Sequence, residues 1–205
     1  MPELTLDILP QPDDTTCGPT CLHAVYGFYG EALDLHRVIS EVTPLASGGT
    51  PGVYLGIHGL RRGYSATLHT YNLEIFDPTW FESDEADLSA LLAEQAIAKS
   101  GARLRETTPA YLEFLALGGR IRFEELSPGL IRRRLSVGRP ILTGLSATYL
   151  YGCAREVDDS GRLRYDSVRG EPTGHFVVVH GYDAETDSVL VADPLFENAF
   201  GSHNY

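Results

Sequence analysis

The sequence predicts an α+β protein, because helix signals fill the first two thirds of the chain and strand signals follow them. Up to Gly138, proline or a small polar residue recurs at helix starts and glycine recurs at helix ends. After Gly138, β-branched and aromatic residues become frequent, with turn clusters between them. A run of helices followed by a run of strands is typical of an α+β fold.

Each predicted helix has a start signal and a stop signal. The first covers residues 18–30, has apolar side chains on one side, and places Cys17 at its start and Gly30 at its end. Four further helices are predicted from Thr50 and Pro51 to Arg62 with a stop at Gly63, from Ser83 to about Lys99, from Thr108 and Pro109 to Gly118, and from Ser127 and Pro128 to Gly138.

Strand signals begin after the last of these helices. Residues 141–151 are rich in β-forming side chains, and residues 158–161 form a turn cluster. Residues 175–182 and 189–193 flank a turn-like segment at residues 183–188, so we expect an antiparallel hairpin. In such a hairpin the start of the first strand and the end of the second strand lie at the same end.

Composition favours one cytoplasmic enzyme domain over residues 1–205. The 205 residues with 43% hydrophobic content are enough for a substantial core. Three cysteines, an odd number, and an N-terminus without a signal-peptide pattern favour a reducing compartment. No apolar run approaches the ~20 residues that a membrane span needs. A net charge of -12 makes nucleic acid and anionic membrane surfaces poor partners.

Cys17 is the candidate nucleophile, because it lies where a loop ends and a helix begins. A thiol at a helix N-terminus lies among unpaired backbone N–H groups and near the positive end of the helix dipole, and both favour the thiolate. When a thiolate attacks a carbonyl group, it produces an oxyanion that needs hydrogen-bond donors. The backbone N–H of Cys17 and the side-chain amide of Gln11 are the candidate donors.

His175 and Asp193 are the candidate partners of this nucleophile, since the predicted hairpin places them at one end. Alternation along a strand puts His175 and His180 on opposite faces, so only one of the two can face Asp193 and Cys17. We choose His175 as the general base. It would take the proton of Cys17 and later protonate the leaving amine, while Asp193 fixes the tautomer and the direction of the ring.

Three motifs that contain these residues make the chain resemble the C39-like cysteine peptidases of the papain-like superfamily. The first is Gln11 with five intervening residues before Cys17-Gly-Pro, the second is Gly-His175-Phe-Val-Val-Val, and the third is Ala-Asp193-Pro. They occur in the family's order. The resemblance implies a papain-like fold, with an N-terminal helical lobe followed by an antiparallel sheet lobe. It also implies a peptidase acting on peptide or protein substrates, with Cys17, His175, Asp193 and Gln11 in the roles given above.

The chain departs from the family pattern in two places. Thr16 precedes Cys17 where the family often has Asp, a change that removes no catalytic group. The chain also stops at residues 201–205, where the fold usually continues into further sheet, and a truncated C-terminus is one interpretation of that difference. Members fused to ABC transporters cleave leader peptides, but neither a membrane span nor a Walker A loop is present, so leader processing is not implied.

Three functions from different classes fit these residues. The first is a thiol peptidase or amide hydrolase, and the second is an acyl or peptidyl transferase in which an amine or a thiol replaces water. The third is a catalytically silent peptide-binding module, although such modules usually lose the cysteine. Neither a metal nor a cofactor is expected, since Cys17, Cys21 and His23 lack a second ligand pair. The sequence leaves the oligomeric state open.

Overall fold

The computed structural model describes most of the chain and divides it into two compact units. One unit comprises Met1–Thr50 and Gly129–Tyr205, and the other comprises Pro51–Pro128. The described residues are 3–42, 49–83, 86–159, 162–201 and 203–205. In chain order they form α1 (Cys17–Phe28), α2 (Leu35–Glu41), α3 (Gly52–Arg61), β1 (Thr67–Thr70), a 3₁₀ helix (Pro78–Phe81), α4 (Leu88–Ala98), α5 (Ala102–Ala116), β2 (Arg120–Phe123), α6 (Pro128–Leu135), β3 (Ile141–Ser146), α7 (Ala147–Tyr151), β4 (Glu156–Asp159), β5 (Arg162–Tyr165), β6 (Gly174–Asp183) and β7 (Ser188–Ala192).

The first unit is built around an antiparallel sheet of three strands in the order β3-β6-β7. Its central strand, β6, is buried on both faces, and Val177 and Val178 are both fully buried. Side chains of α1, including Cys21 and Ala24, pack with Val178 on one face. On the other face Ile131 and Leu135 of α6 pack with Val177 and Val179. Burial on both faces explains why the strand has a run of valines instead of an alternating pattern.

The second unit packs its own core between helices and one short pair of strands. Val53 of α3, Leu92 of α4 and Phe114 of α5 are among the fully buried side chains at its centre. Strands β1 and β2 pair in parallel, with Thr67 opposite Arg120. The sequence pattern did not predict these two strands, because each has only four residues and lies next to a strong helix signal.

Three of the predicted helices are confirmed, including the one that carries Cys17. Helix α1 begins at Cys17, and the stop at Gly30 has the positive φ of +83° that glycine adopts easily. Helix α6 begins at Pro128, as the proline signal predicts. Helix α3 begins one residue later than predicted, because Pro51 has an extended backbone and precedes the helix.

Two predicted helix starts are wrong. The helix expected from Ser83 begins at Leu88, because the Asp87 carboxylate accepts hydrogen bonds from the backbone N–H groups of Ser89 and Ala90 and caps it there. The helix expected from Thr108 and Pro109 begins earlier, and Pro109 lies inside α5. Pro109 lacks a backbone N–H and lies in the helix interior, where buried side chains before and after it, such as Leu104 and Tyr111, hold α5 together.

The segment expected to be a strand at residues 141–151 is only half correct. Strand β3 ends at Ser146, and the remaining residues form the short helix α7, which Gly152 ends with a φ of +62°. The predicted hairpin is confirmed as β6 and β7, paired antiparallel. Of the predicted turn cluster at residues 158–161, Asp158 and Asp159 belong to β4, which pairs with β5, and residues 160 and 161 lie outside the described part of the chain.

The mixture of helices and mainly antiparallel strands agrees with the α+β prediction. Helices α1 and α2 belong to the same compact unit as the antiparallel sheet. None of the helices in the described part of the chain combines the length and the apolar character that a membrane crossing requires.

Candidate active site

The β6–β7 hairpin brings His175 and Asp193 together. Ala192 is paired with Val178, so the next residue, Asp193, follows the register to a position opposite Val177. Residues at 175 and 177 share one face of the strand, because side chains alternate. A diagonal neighbour on the same face is within reach of a long side chain. Nε2 of His175 accordingly lies 2.8 Å from Oδ1 of Asp193.

The Asp193 carboxylate is fully buried and accepts four hydrogen bonds. Oδ1 accepts from Nε2–H of His175 at 2.8 Å and from the backbone N–H of Leu195 at 2.9 Å. Oδ2 accepts from the hydroxyls of Tyr151 and Tyr205, each at 2.7 Å. Burial alone would raise the pKa of Asp193, but these donors outweigh it and hold the pKa below its ordinary value. Asp193 is therefore an anion at neutral pH.

His175 is buried between this carboxylate and the Cys17 thiol. Burial alone would lower the pKa of His175, but the hydrogen bonds and charges of Asp193 and Cys17 outweigh it and raise the pKa to about 9. Since Nε2–H is directed at Asp193, Nδ1 is the ring nitrogen that remains to exchange a proton with Cys17. The imidazole is thus set up as a proton acceptor for a neighbouring thiol.

Cys17 is the first residue of α1, and its thiol is one of the groups that raise the pKa of His175. Within the described residues, no side chain caps the start of this helix, because the hydroxyl oxygen of Thr16 accepts from the backbone N–H of Asp13 and its proton is donated to the carbonyl of Asp13. The backbone N–H groups of the first turn therefore stay available to an anion. Helix α1 holds the thiol in place by packing Cys21 and Ala24 against the sheet.

Gln11 lies in the loop before Cys17 and next to the Asp193 segment. Its backbone N–H donates to the carbonyl of Pro194 at 2.9 Å. Its side-chain Nε2 donates to the carbonyl of Asp13 at 2.9 Å, so one amide hydrogen is used within the loop. An amide nitrogen has two hydrogens, and the second is left for another acceptor. Gln11 is therefore placed by its backbone beside the candidate triad.

The other cysteines and histidines named in the sequence lie in different surroundings. Cys21 is fully buried, its thiol donates to the carbonyl of Phe176 at 3.2 Å, and burial raises its pKa well above the ordinary value. Cys153 lies near the carbonyl of Ala147. His180 sits at the β-bulge between Val179 and Gly181, and its Nδ1 lies 2.9 Å from the carbonyl of Leu4. His23 is bound to the carbonyl of Leu33.

Sequence reasoning missed Tyr151 and Tyr205, which contact the Asp193 carboxylate. Tyr151 was included in a predicted strand, whereas it is the last residue of α7. Tyr205 reaches the site because its backbone pairs with Val191 of β7. Neither position carries a motif, and a one-turn helix and a two-residue backbone pairing leave no periodic signal. Local sequence alone would not have found them.

This arrangement can transfer a proton from a thiol and stabilise the charges that result. An acceptor imidazole lies between a thiol and a carboxylate, and a helix N-terminus lies at the thiol. A cysteine, a histidine and a carboxylate arranged in this order can support acyl transfer through a thioester.

A comparison with protein families finds a match in the C-terminal part of the chain. Residues 127–205 match the family model described as the Peptidase_C39 like family, and this match supports assigning the chain to the C39-like peptidases. The matched segment is less than half of the chain. It contains His175 and Asp193, whereas Gln11 and Cys17 precede it. No curated protein and no solved structure matches the chain.

Proposed function

We propose that the chain is a cysteine peptidase or amide hydrolase of papain-like fold that cleaves peptide substrates through Cys17. The observation that carries the proposal is the hydrogen bond between His175 and Asp193, together with the part that Cys17 has in raising the pKa of the same histidine. The family match over the segment with His175 and Asp193 supports the same class of reaction. In this proposal Cys17 is the nucleophile, His175 is the acid and base, and Asp193 orients His175.

The proposed reaction has two halves that share one intermediate. The proton of the Cys17 thiol moves to His175, and the thiolate sulfur bonds to the carbonyl carbon of the substrate. His175 then gives its proton to the leaving amine as the C–N bond breaks, which leaves a thioester on Cys17. Water next attacks the thioester while His175 accepts a proton from it. The C–S bond breaks, His175 returns the proton to the Cys17 sulfur, and the carboxylic acid leaves.

The oxyanion of each half needs two donors near the sulfur. The backbone N–H of Cys17 lies at the uncapped start of α1, and the free hydrogen of the Gln11 amide is the second candidate. Donors that are fixed before the reaction act most strongly, because they need no reorganisation. The bond from Nε2 of Gln11 to the carbonyl of Asp13 would fix the amide in this way.

A peptide-cleavage assay tests the proposal. The purified chain is incubated with a complex peptide mixture and a reductant at neutral pH, and new termini are identified by mass spectrometry. We expect cleavage that Cys17→Ala abolishes. Cys153→Ala should preserve it, since Cys153 lies near the carbonyl of Ala147 and is not among the groups that shift the pKa of His175. Cleavage that survives Cys17→Ala, or no cleavage and no Cys17 thioester with any peptide, would contradict the proposal.

The same assay separates hydrolysis from acyl transfer. In water enriched in ¹⁸O, hydrolysis adds one heavy oxygen to each new carboxyl group, because water resolves the thioester. With an added amine such as glycinamide, a transferase would instead join the acyl group to that amine. We expect the ¹⁸O-labelled acid to dominate.

A further inference from the structure

The Asp193 carboxylate divides its hydrogen bonds between its two oxygens. Oδ1 accepts from His175 and from the backbone of Leu195, whereas among the described residues Oδ2 accepts only from the hydroxyls of Tyr151 and Tyr205. A carboxylate needs only one oxygen to orient a histidine. The two phenols therefore bind the oxygen that His175 does not use.

Both tyrosines are held by backbone structure on separate segments. Tyr151 ends α7, where Gly152 in the left-handed conformation turns the chain away. Tyr205 exchanges backbone hydrogen bonds with Val191 of β7, at 2.7 Å and 3.1 Å. The two hydroxyls thus reach Oδ2 from fixed positions on different elements.

We propose that Tyr151 and Tyr205 are positioning residues, a tyrosine pair that binds Oδ2 of Asp193 and thereby directs Oδ1 at His175. The inference rests on the proposed function, because it assigns these residues a part in the same reaction. The tyrosine pair acts through Asp193 alone: the rings of Tyr151 and His175 have centroids 5.9 Å apart, and no hydrogen bond joins these two described side chains.

Asp193 needs donors on Oδ2 because the torsion of its carboxylate group is otherwise free to rotate. Rotation about the bond to a carboxylate is broad and roughly two-fold, so packing alone directs it poorly. Asp193 is 0% exposed, and water cannot readily replace a missing donor. Two donors on Oδ2 exclude the rotated orientations, and either one retains much of that effect. Loss of both hydroxyls should therefore cost more than the product of the two single losses.

The titratable groups around His175 come from three elements. They are Cys17 at the start of α1, Asp193 after β7 and Tyr151 at the end of α7. Burial and the Asp193 carboxylate raise the pKa of both tyrosines, so each stays a neutral donor at working pH. A change in the titration of His175 after removal of the phenol hydroxyls therefore reports a change in how the Asp193 carboxylate is directed at His175.

Tyr182 provides a matched control in the same compact unit. Tyr182 lies on β6; its hydroxyl donates to the carboxylate of Asp187 in the turn after this strand and accepts from Arg132. The variant Tyr182→Phe removes the same group and the same kind of hydrogen bond without touching Asp193. If the loss of any hydrogen bond between a tyrosine and a carboxylate slowed the alkylation of Cys17, Tyr182→Phe would slow it too.

The experiment compares Tyr151→Phe, Tyr205→Phe, the double variant and Tyr182→Phe. The readouts are the alkylation rate of Cys17 by iodoacetamide, resolved by mass spectrometry, and the titration of His175 by NMR. In each single variant we expect a small but measurable slowing of alkylation and a small downward move of the His175 titration. In the double variant we expect roughly 10- to 100-fold slower alkylation, as for hydrogen bonds to a charged group. The His175 titration should move to lower pH in the double variant, with Tyr182→Phe like the wild type.

Three outcomes would overturn the inference. The first is a double variant that behaves as the wild type. The second is a loss of alkylation rate in the double variant that equals the product of the two single losses. The third is a loss of equal size in Tyr182→Phe. Near-ultraviolet circular dichroism identifies unfolding, and if the double variant unfolds, an unchanged His175 titration in both folded single variants also overturns the inference. If wild-type Cys17 does not respond to His175→Ala, the proposed function fails, and the His175 titration still tests the tyrosine pair separately.

Discussion

Replacement of Asp193 by Asn removes one charge and keeps the shape of the side chain. The amide oxygen can still accept from His175 and Leu195, and the amide nitrogen can donate to the hydroxyls of Tyr151 and Tyr205, because a phenol hydroxyl also accepts. The fold should therefore survive this substitution. Asp193→Ala would instead leave four buried donors without an acceptor, so it is the less informative variant.

The expected magnitude follows from the pKa of His175. The increase from 6.5 to about 9 corresponds to about 3 kcal/mol in favour of the imidazolium. Burial acts in the opposite direction and Cys17 still raises the pKa, so without the Asp193 charge the pKa of His175 should fall from about 9 toward 6.5. The equilibrium constant for proton transfer from Cys17 to His175 should fall accordingly, by up to roughly 100-fold.

NMR titration of the histidine Cε1–H signals measures this change directly. The chain has 7 histidines, and His175→Gln identifies the signal of interest. Asp187→Asn is the control, because Asp187 also accepts from a tyrosine but does not contact His175. If His175 titrates at the same pH in Asp193→Asn as in the wild type, the carboxylate does not hold the imidazolium and the reasoning is wrong.

Three further predictions concern the oxyanion donor, pH and packing. Gln11→Ala should slow turnover by roughly 100- to 1000-fold with little change in unfolding by urea, since its side chain makes one loop hydrogen bond; unchanged turnover would exclude Gln11 as an oxyanion donor. Because the folded pKa of His175 is raised, its contribution to stability is complete below about pH 6.5 and is lost as the pH rises through about 9. The difference in unfolding free energy between wild type and His175→Gln should therefore shrink over that range, and a constant difference would contradict the raised pKa. Gly119→Ala should cost about 1–3 kcal/mol, because its Cβ would lie 2.5 Å from the buried ring of Phe114, whereas Gly27→Ala meets no atom within 4 Å and should not destabilise; equal unfolding midpoints would refute the contact.

Sequence patterns predicted the parts of the fold that rest on strong local signals. The β6–β7 hairpin and the start of α1 follow from hydrophobic runs bounded by turn residues, and both are present. The same patterns failed where a contact distant in sequence decides the structure. Helix α5 continues through Pro109 because its side chains are buried on both sides of the proline. The short helix α7, which ends at Tyr151, has too few residues to show the hydrophobic periodicity of a helix.

The candidate site was predictable to a similar extent. The meeting of His175 and Asp193 follows from strand alternation and hairpin geometry, and the structure places their side chains 2.8 Å apart. The choice of His175 over His180 depended on the same alternation, and His180 instead contacts Leu4 at a β-bulge. The tyrosine pair was not predictable, because Tyr205 reaches Asp193 only through backbone pairing with β7.

Alkylation of the three cysteines by iodoacetamide across pH tests the central claim most directly. Mass spectrometry separates Cys17, Cys21 and Cys153, and the last two serve as internal controls in wild type and His175→Ala. We predict that Cys17 alone reacts quickly well below the ordinary thiol pKa of about 8.5, and that His175→Ala removes this reactivity. Slow labelling of all three cysteines with ordinary pH dependence would show that no activated thiolate–imidazole pair exists in this chain.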